Sequence, residues 1–354
     1  MSVVISGTGS YVPEIIVGEE EFLQHEFYNS DGSRIDLPNK EIIRKFRSIT
    51  GIEERRYAPA GIRSSDMAAA AAAIAIADAG IDKESLDGII YAHNYGDIPK
   101  GTIQSDTVPS LAARVKHTLK IKSPDCIAFD ILFGCPGWIQ GVITARQYIT
   151  GSGTKRYLVI GAETLSRVLD PHDRDSMIYA DGAGAAIVEE KPGAAPSGIL
   201  STASRSYTYD EAYYLDFGHS LKEGYQPDTR FIKMQGRKIY EFALTNVPQA
   251  MRACLDKSGC AIDEVKKVFI HQANEKMDEA IIKRFFKLYE RETPENIMPM
   301  SINKLGNSSV ATVPTLFDLV RKNKLEGHHI ETGDLIILAS VGAGMNINAI
   351  TYRI

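Results

Sequence analysis

Cys135 stands in "FGCPGW", between an apolar run that ends at Leu132 and a run of helical periodicity. Pro136 suits the first helical position, where its missing N–H is not needed, which makes Cys135 the expected N-cap. A thiol there faces the unsatisfied N–H groups and positive end of a helix, a setting that favours thiolate and hence a nucleophile. One buried, inert cysteine is the plainer account of such a residue taken alone. Two further residues of reactive type lie in the second half of the chain. His271, in "FIHQAN", directly follows an apolar run, and Asn307, in "NKLGNSSVATVP", follows Gly306 at the start of a predicted helix. A lone His is usually structural and a lone Asn usually a cap, but three residues of reactive type at corresponding element ends point to a nucleophile with supporting polar groups.

The elements that must position these residues repeat. An Ala-rich helix pattern from Asp66 leads through "AGIDKESLDGIIYAHNYG", and "VPQAMRACLDKSG" leads through "CAIDEVKKVFIHQAN". Each reads as helix, short acidic turn, apolar strand and a loop with His and Asn. "CPGWIQGVITARQYITGSGTKRYLVIGAE" and "NSSVATVPTLFDLVRKNKLEGHHIETGDLIILASVGAG" both continue as helix, Gly-rich loop and strand, and each half closes on a β-rich run, "AGAAIVEE" and "MNINAITYRI". Short, β-branched, nearly continuous apolar strands alternating with 3.6-period helices predict α/β layers with sheets buried on both faces. The expected organisation is an internal duplication, residues 1–190 with the cysteine and 191–354 with the His and Asn. If the halves pack about a pseudo-twofold axis, Cys135 and Asn307 face each other with His271 between. Gly137 and Gly141 suit close packing of the helix after the cysteine. The run Ala68 to Ala73 predicts a helix sandwiched between two sheets, or simply a good helix former on a surface.

Composition narrows the function classes. The 354 residues carry 40 Lys and Arg against 45 Asp and Glu, a formal charge of -5, so no global basic field marks a nucleic-acid binder. Cys126, Cys135, Cys254 and Cys260 show no CxxC pairing and no zinc-type spacing, which fits a reduced, cytosolic compartment and gives no metal site. The start "MSVVISGTGSYVP" lacks a basic n-region, and the most apolar run, Met67 to Ala77, is too short to span a bilayer. A nucleotide-binding reading of "SGTGSYVP" fails for want of a third glycine.

The chain resembles the thiolase-fold condensing enzymes, most closely the β-ketoacyl-acyl-carrier-protein synthase III family. The matching pieces are "TGIEERR" (Thr50 to Arg56), "GCPGW" around Cys135, "DPHDR" (Asp170 to Arg174), "DGAGAAIV" (Asp181 to Val188), "HQAN" (His271 to Asn274), "GNSS" (Gly306 to Ser309) and "GAGMN", in family order. The resemblance implies a layered α-β-α-β-α thiolase-like fold and a decarboxylative Claisen condensation of an acyl thioester with malonyl-acyl-carrier-protein. It implies Cys135 as nucleophile, His271 and Asn307 as donors to an enolate oxygen, the backbone N–H groups of Cys135 and Ala343 as the oxyanion hole, and substrate contacts from Arg174 and Asn274, with Arg44 or Arg47 in place of coenzyme A contacts that this chain lacks. It further implies acyl-coenzyme A and acyl carrier protein as partners, coenzyme A thioester as substrate with no cofactor, and a homodimer. Lys276, Lys283 and Lys287 fall on one face of the helix after "HQAN" with Arg284 beside them, a basic face for an acidic carrier protein or merely a solvated one.

The pattern also departs from the family. "EIIRKFRSITGI" has no tryptophan, and Ile49 replaces the motif arginine, which puts coenzyme A binding at issue. Val108 occupies a position where a phenylalanine shortens the acyl pocket of acetyl-specific members across the dimer, so a longer or branched starter is expected. The segment "EEFLQHEFYNSDGSRIDLPNK" is long enough to lid the entrance or to decorate it. Three other readings stand beside this one. A related acyltransferase or condensing enzyme of specialised metabolism fits the same residues. A papain-like hydrolase shares the order Cys, His, Asn but lacks the "CGSCW" signature and a disulfide framework. A scaffold subunit would ordinarily have lost the nucleophile.

Overall fold

The computed structural model describes residues 2–192 and 197–354. Five strands, β1 (Ser2–Tyr11), β2 (Gly88–His93), β3 (Ile127–Leu132), β4 (Arg156–Thr164) and β5 (Asp181–Lys191), form one sheet in the order β1-β5-β4-β2-β3. Four more, β6 (Gly198–Ser206), β7 (Val265–Ile270), β8 (Leu335–Gly342) and β9 (Asn346–Arg353), form a second in the order β6-β9-β8-β7. Apart from β3 the two orders match strand for strand, and so do the directions. In the first sheet β2 pairs parallel with both β4 and the edge strand β3, in the second β7 pairs parallel with β8, and the remaining pairs are antiparallel.

The principal helices are α1 (Ser64–Ala79), α2 (Gly137–Ser152), α3 (Gly236–Ser258), α4 (Glu275–Lys287) and α5 (Thr312–Arg321). Trp138, Ile139 and Val142 of α2 and Val313, Leu316 and Phe317 of α5 share one core with Val159 of β4 and Ile336 and Leu338 of β8, so α2 and α5 form the layer between the sheets. Helix α1 covers the outer face of the first sheet, and α3 and α4 cover that of the second. The result is the α-β-α-β-α stack of the thiolase fold. It explains why β4 and β8 are buried almost end to end and read as unbroken apolar runs.

The alanine-rich helix is therefore an outer layer, a correction to the expected place between sheets, but its small residues do serve a close approach. A Cβ built on Gly9 of β1 would lie 2.2 Å from the Ala71 carbonyl oxygen and 2.7 Å from the Ala75 nitrogen. Strand and helix meet backbone to backbone there, with no room for one methyl group. Gly137 and Gly141 do for α2 against Ala92 and Val159 what Gly9 does for β1. Gly9→Ala is expected to destabilise the fold by about 2 kcal/mol through overpacking. A urea midpoint unchanged from that of the wild type would refute the contact.

Candidate active site

The strand ends of both sheets converge on one narrow cavity of about 50 Å³, lined by Cys135, His271, Asn307, Asn94, Ser309 and Ala343 on its polar side. Leu165, Tyr179, Ile232, Met234, Met277 and Met345 make its apolar wall. Cys135 follows β3, Asn94 follows β2, His271 follows β7 and Ala343 follows β8. The three residues expected to act together are thus brought together, and they come from both halves of the chain.

Helix α2 begins one residue later than expected. Pro136 is its N-cap, because the Pro136 carbonyl accepts the first helical hydrogen bond, from Gln140 N at 2.9 Å. Cys135 lies on the preceding turn, closed by Gly137 N donating to the Gly134 carbonyl at 2.7 Å. Two glycines seat that turn. A Cβ on Gly342 would lie 2.6 Å from the Cys135 nitrogen, and one on Gly134 would lie 2.7 Å from the Ala343 nitrogen. The backbones carrying the N–H groups of Cys135 and Ala343 therefore run side by side at the cavity floor, where two donors can serve one oxyanion.

Electrostatically the pocket disfavours charge. Burial pushes the Cys135 thiol up to about 11, opposed chiefly by a hydrogen bond from Ser309 Oγ to Sγ at 3.3 Å. The thiolate expected from the helix start is overridden by loss of water, so the resting sulfur is a thiol at neutral pH. Burial also lowers the pKa of His271 to about 4, and its Nδ1 is buried without a hydrogen-bond partner. The imidazole is neutral at physiological pH, with one donor and one acceptor nitrogen. Asn307 is fixed at both ends. Its backbone is zipped to the segment before β5, Asn307 N to the Ile178 carbonyl at 3.0 Å and Ala180 N to the Asn307 carbonyl at 2.8 Å. Its Oδ1 accepts from Ser309 N at 2.8 Å, which leaves the Nδ2 donor for the cavity.

Comparison with known proteins adds an independent observation. The sequence profile for 3-oxoacyl-[acyl-carrier-protein (ACP)] synthase III matches residues 129–208, and that for its C-terminal region matches residues 255–354. A β-ketoacyl-[acyl-carrier-protein] synthase III of Ruegeria pomeroyi is 31% identical over 355 residues, 99% of this chain and 98% of its own length. The chain belongs to the 3-oxoacyl-acyl-carrier-protein synthase III family. The corresponding enzyme of Oceanobacillus iheyensis is 33% identical over 356 residues, 100% of this chain and 99% of its own. A crystal structure of the Aquifex aeolicus synthase superposes with a TM-score of 0.80 at 29% identity over 100% of both chains.

The other residues expected in this synthase lie away from the cavity. Arg44 is on the exposed face of the helix Asn39–Thr50, Arg174 is exposed beside Asp175, and Val108 is 85% exposed on the surface. Asn274 is the N-cap of α4, its Oδ1 accepting from Met277 N at 3.1 Å. Lys276, Lys283 and Arg284 are exposed on α4, with Arg284 also donating to the Leu244 carbonyl at 3.1 Å. The long segment after Gly18 contributes nothing to the cavity wall. It packs on the "DPHDR" stretch, Tyr28 N donating to the His172 carbonyl at 2.9 Å, and on the later loop that carries Lys222, which pairs with Glu26 at 2.7 Å. Among the described residues no group of three or more His, Cys, Asp or Glu is placed to hold a metal ion, and no helix is long and apolar enough to cross a membrane.

Sequence reasoning missed Asn94, Glu163 and Ser309 as parts of the site. Asn94 had a signal, since the "HN" after β2 repeats the loop of the "HQAN" stretch, while Ser309 was read only as part of "GNSS" and Glu163 only as the end of a strand. In an NMR titration, the His271 imidazole, assigned by its loss in His271→Ala, is expected to show a midpoint near 4. A midpoint near 6.5 would mean that water reaches the ring freely.

Proposed function

We propose that this chain catalyses the condensation named for its family, joining an acyl thioester to malonyl-acyl-carrier-protein to give a 3-oxoacyl-acyl-carrier-protein, in fatty acid synthesis. The observation that carries the reading is the convergence of Cys135, His271, Asn307 and the Ala343 amide on one apolar cavity. Cys135 Sγ attacks the acyl carbonyl of coenzyme A thioester, the oxyanion rests on the N–H groups of Cys135 and Ala343, and the coenzyme A thiol leaves. The malonyl group then loses carbon dioxide and keeps the electron pair as an enolate. Neutral His271 and the Nδ2 of Asn307 donate to the enolate oxygen, and the carbanion carbon attacks the acyl-enzyme and releases the Cys135 sulfur. A dry, neutral pocket suits this order, because each donor is worth more against a charge that appears only during the reaction. Coenzyme A enters as substrate, and no cofactor takes part in this reading.

The surroundings support finer assignments. The halves 1–190 and 191–354 each supply one sheet and one side of the site. Helix α4 packs against the helix Asn39–Thr50, so Lys276, Lys283 and Arg284 stand on a surface continuous with that of Arg44, suited to an acidic carrier protein and the phosphates of coenzyme A. Asn274, which caps α4, and the exposed Arg174 are the further substrate contacts of this reading. Strand β3 is a free sheet edge with Ile127 45% and Leu132 75% exposed, and Val108 stands out beside it at 85%. Edge-to-edge pairing in a homodimer would satisfy the free strand and cover these side chains. Val108 would then face the partner's acyl pocket, where a small side chain leaves room for a longer or branched starter. Four free cysteines favour the cytoplasm.

Intact-protein mass after incubation with acyl-coenzyme A is expected to rise by one acyl group in the wild type and not in Cys135→Ala. A subsequent malonyl-carrier chase should remove the gain. His271→Ala and Asn307→Ala should still acylate but lose decarboxylation by about 10²-fold or more; normal decarboxylation in both would end the assignment. Charge reversal at Lys283 and Arg284 is expected to raise KM for the carrier protein with kcat nearly unchanged, and an unaltered KM would make this face a solvated one only.

A further inference from the structure

The sulfur of Cys135 sits at one end of a buried polar chain that reaches through the first half of the fold. Glu163, near the end of β4, is 1% exposed, and its Oε1 accepts from both the backbone N (2.6 Å) and the Nδ2 of Asn94. Because the backbone N–H already marks that oxygen as an acceptor, the Asn94 amide must turn its nitrogen, not its oxygen, toward Glu163. The second Nδ2 hydrogen then points to Ser309 Oγ at 3.1 Å. Ser309 Oγ is compelled to accept there, and its only proton is left for Cys135 Sγ at 3.3 Å. The backbone is bent to the task, since Ser309 is a non-glycine residue at φ +53°. Its N–H meanwhile orients Asn307.

We infer that Ser309 is a catalytic hydrogen-bond donor to the Cys135 sulfur, and that Asn94 and Glu163 are positioning residues that aim its proton. The inference rests on Cys135 as nucleophile. Each link has a fixed direction. Glu163 orients the Asn94 amide, Asn94 removes the rotational freedom of the Ser309 hydroxyl, and Ser309 meets the sulfur with a proton whose hydrogen bond strengthens as the sulfur becomes anionic. In a cavity that holds its imidazole neutral, this hydroxyl is the side-chain hydrogen bond that favours an anionic sulfur. The three residues come from β4, the loop after β2 and the turn before α5, so the chain also ties the second half of the molecule to the first at the sulfur itself.

The test is the rate of iodoacetamide alkylation at Cys135, read by peptide mass spectrometry from pH 7 to 9, on the rising limb of thiolate formation. Ser309→Ala is expected to slow alkylation about tenfold at every pH, a displacement of about one pH unit. Ser309→Gly should do the same, and glycine accepts the positive φ, so loss of folding does not explain a result common to both. A merely loosened site would expose the sulfur and speed the reaction instead. Asn94→Ala should shift the profile in the same direction by less, and the double variant Asn94→Ala/Ser309→Ala should react no more slowly than Ser309→Ala alone, since Asn94 acts through the hydroxyl. Wild-type rates in both Ser309 variants, or full additivity of the Asn94 loss, would overturn the inference. Acyl transfer in Cys135→Ala separates the two ideas: if it persists, the nucleophile assignment falls, while the alkylation profile still decides the hydrogen bond.

Discussion

Everything at the site depends on one contact in which no side chain takes part. The turn Gly134–Pro136 from the first half lies directly against Gly342–Ala343 from the second, so closely that a Cβ on Gly342 would lie 2.6 Å from the Cys135 nitrogen and one on Gly134 2.7 Å from the Ala343 nitrogen. Backbones can approach this far only where both loops expose bare peptide, and the sheets must present their strand ends at matching heights for them to do so. The matching strand orders supply that height. Helices α2 and α5, packed between the sheets, hold the spacing, so a change of one methyl group in the central layer is transmitted to the distance between two amide donors.

The same packing that closes the contact removes water, and water is what stabilises charge. Cys135 held as thiol, His271 held neutral and Glu163 pushed up to about 7 are three results of one cause, burial among apolar walls. One buried carboxylate outside the pocket behaves otherwise. Asp170 is buried too, yet Lys233 and the backbone N–H groups of Leu221 and His172 hold its pKa below the ordinary value. The difference lies in partners rather than depth. The pocket has few, so charge is costly there until substrate or a turned hydroxyl provides one.

Much of this was legible in the sequence because periodicity reports burial. Short, β-branched apolar runs marked seven of the nine strands, all but β1 and β6, and put Cys135 and His271 after two of them, with Asn307 ahead of a helix. What was not legible arose from three-dimensional context. Small residues in α1 signalled close approach but not which layer would approach. The helix start promised a thiolate, and only the surrounding walls reverse that. Asn94 and Ser309 lie 215 residues apart and acquire meaning only through a hydrogen bond between them. Their residue types are among the commonest in loops and caps, so nothing in local composition distinguishes them.

The acyl wall of the cavity has three thioethers, Met234, Met277 and Met345. Methionine is unbranched and polarisable, and it re-packs around irregular shapes where leucine or isoleucine would clash. A wall of this kind sorts ligands by gradation, taking straight and branched chains with modest differences in fit rather than a sharp cut-off. The same sulfurs are oxidisable. Conversion of one to sulfoxide would set a polar, chiral group into that apolar wall.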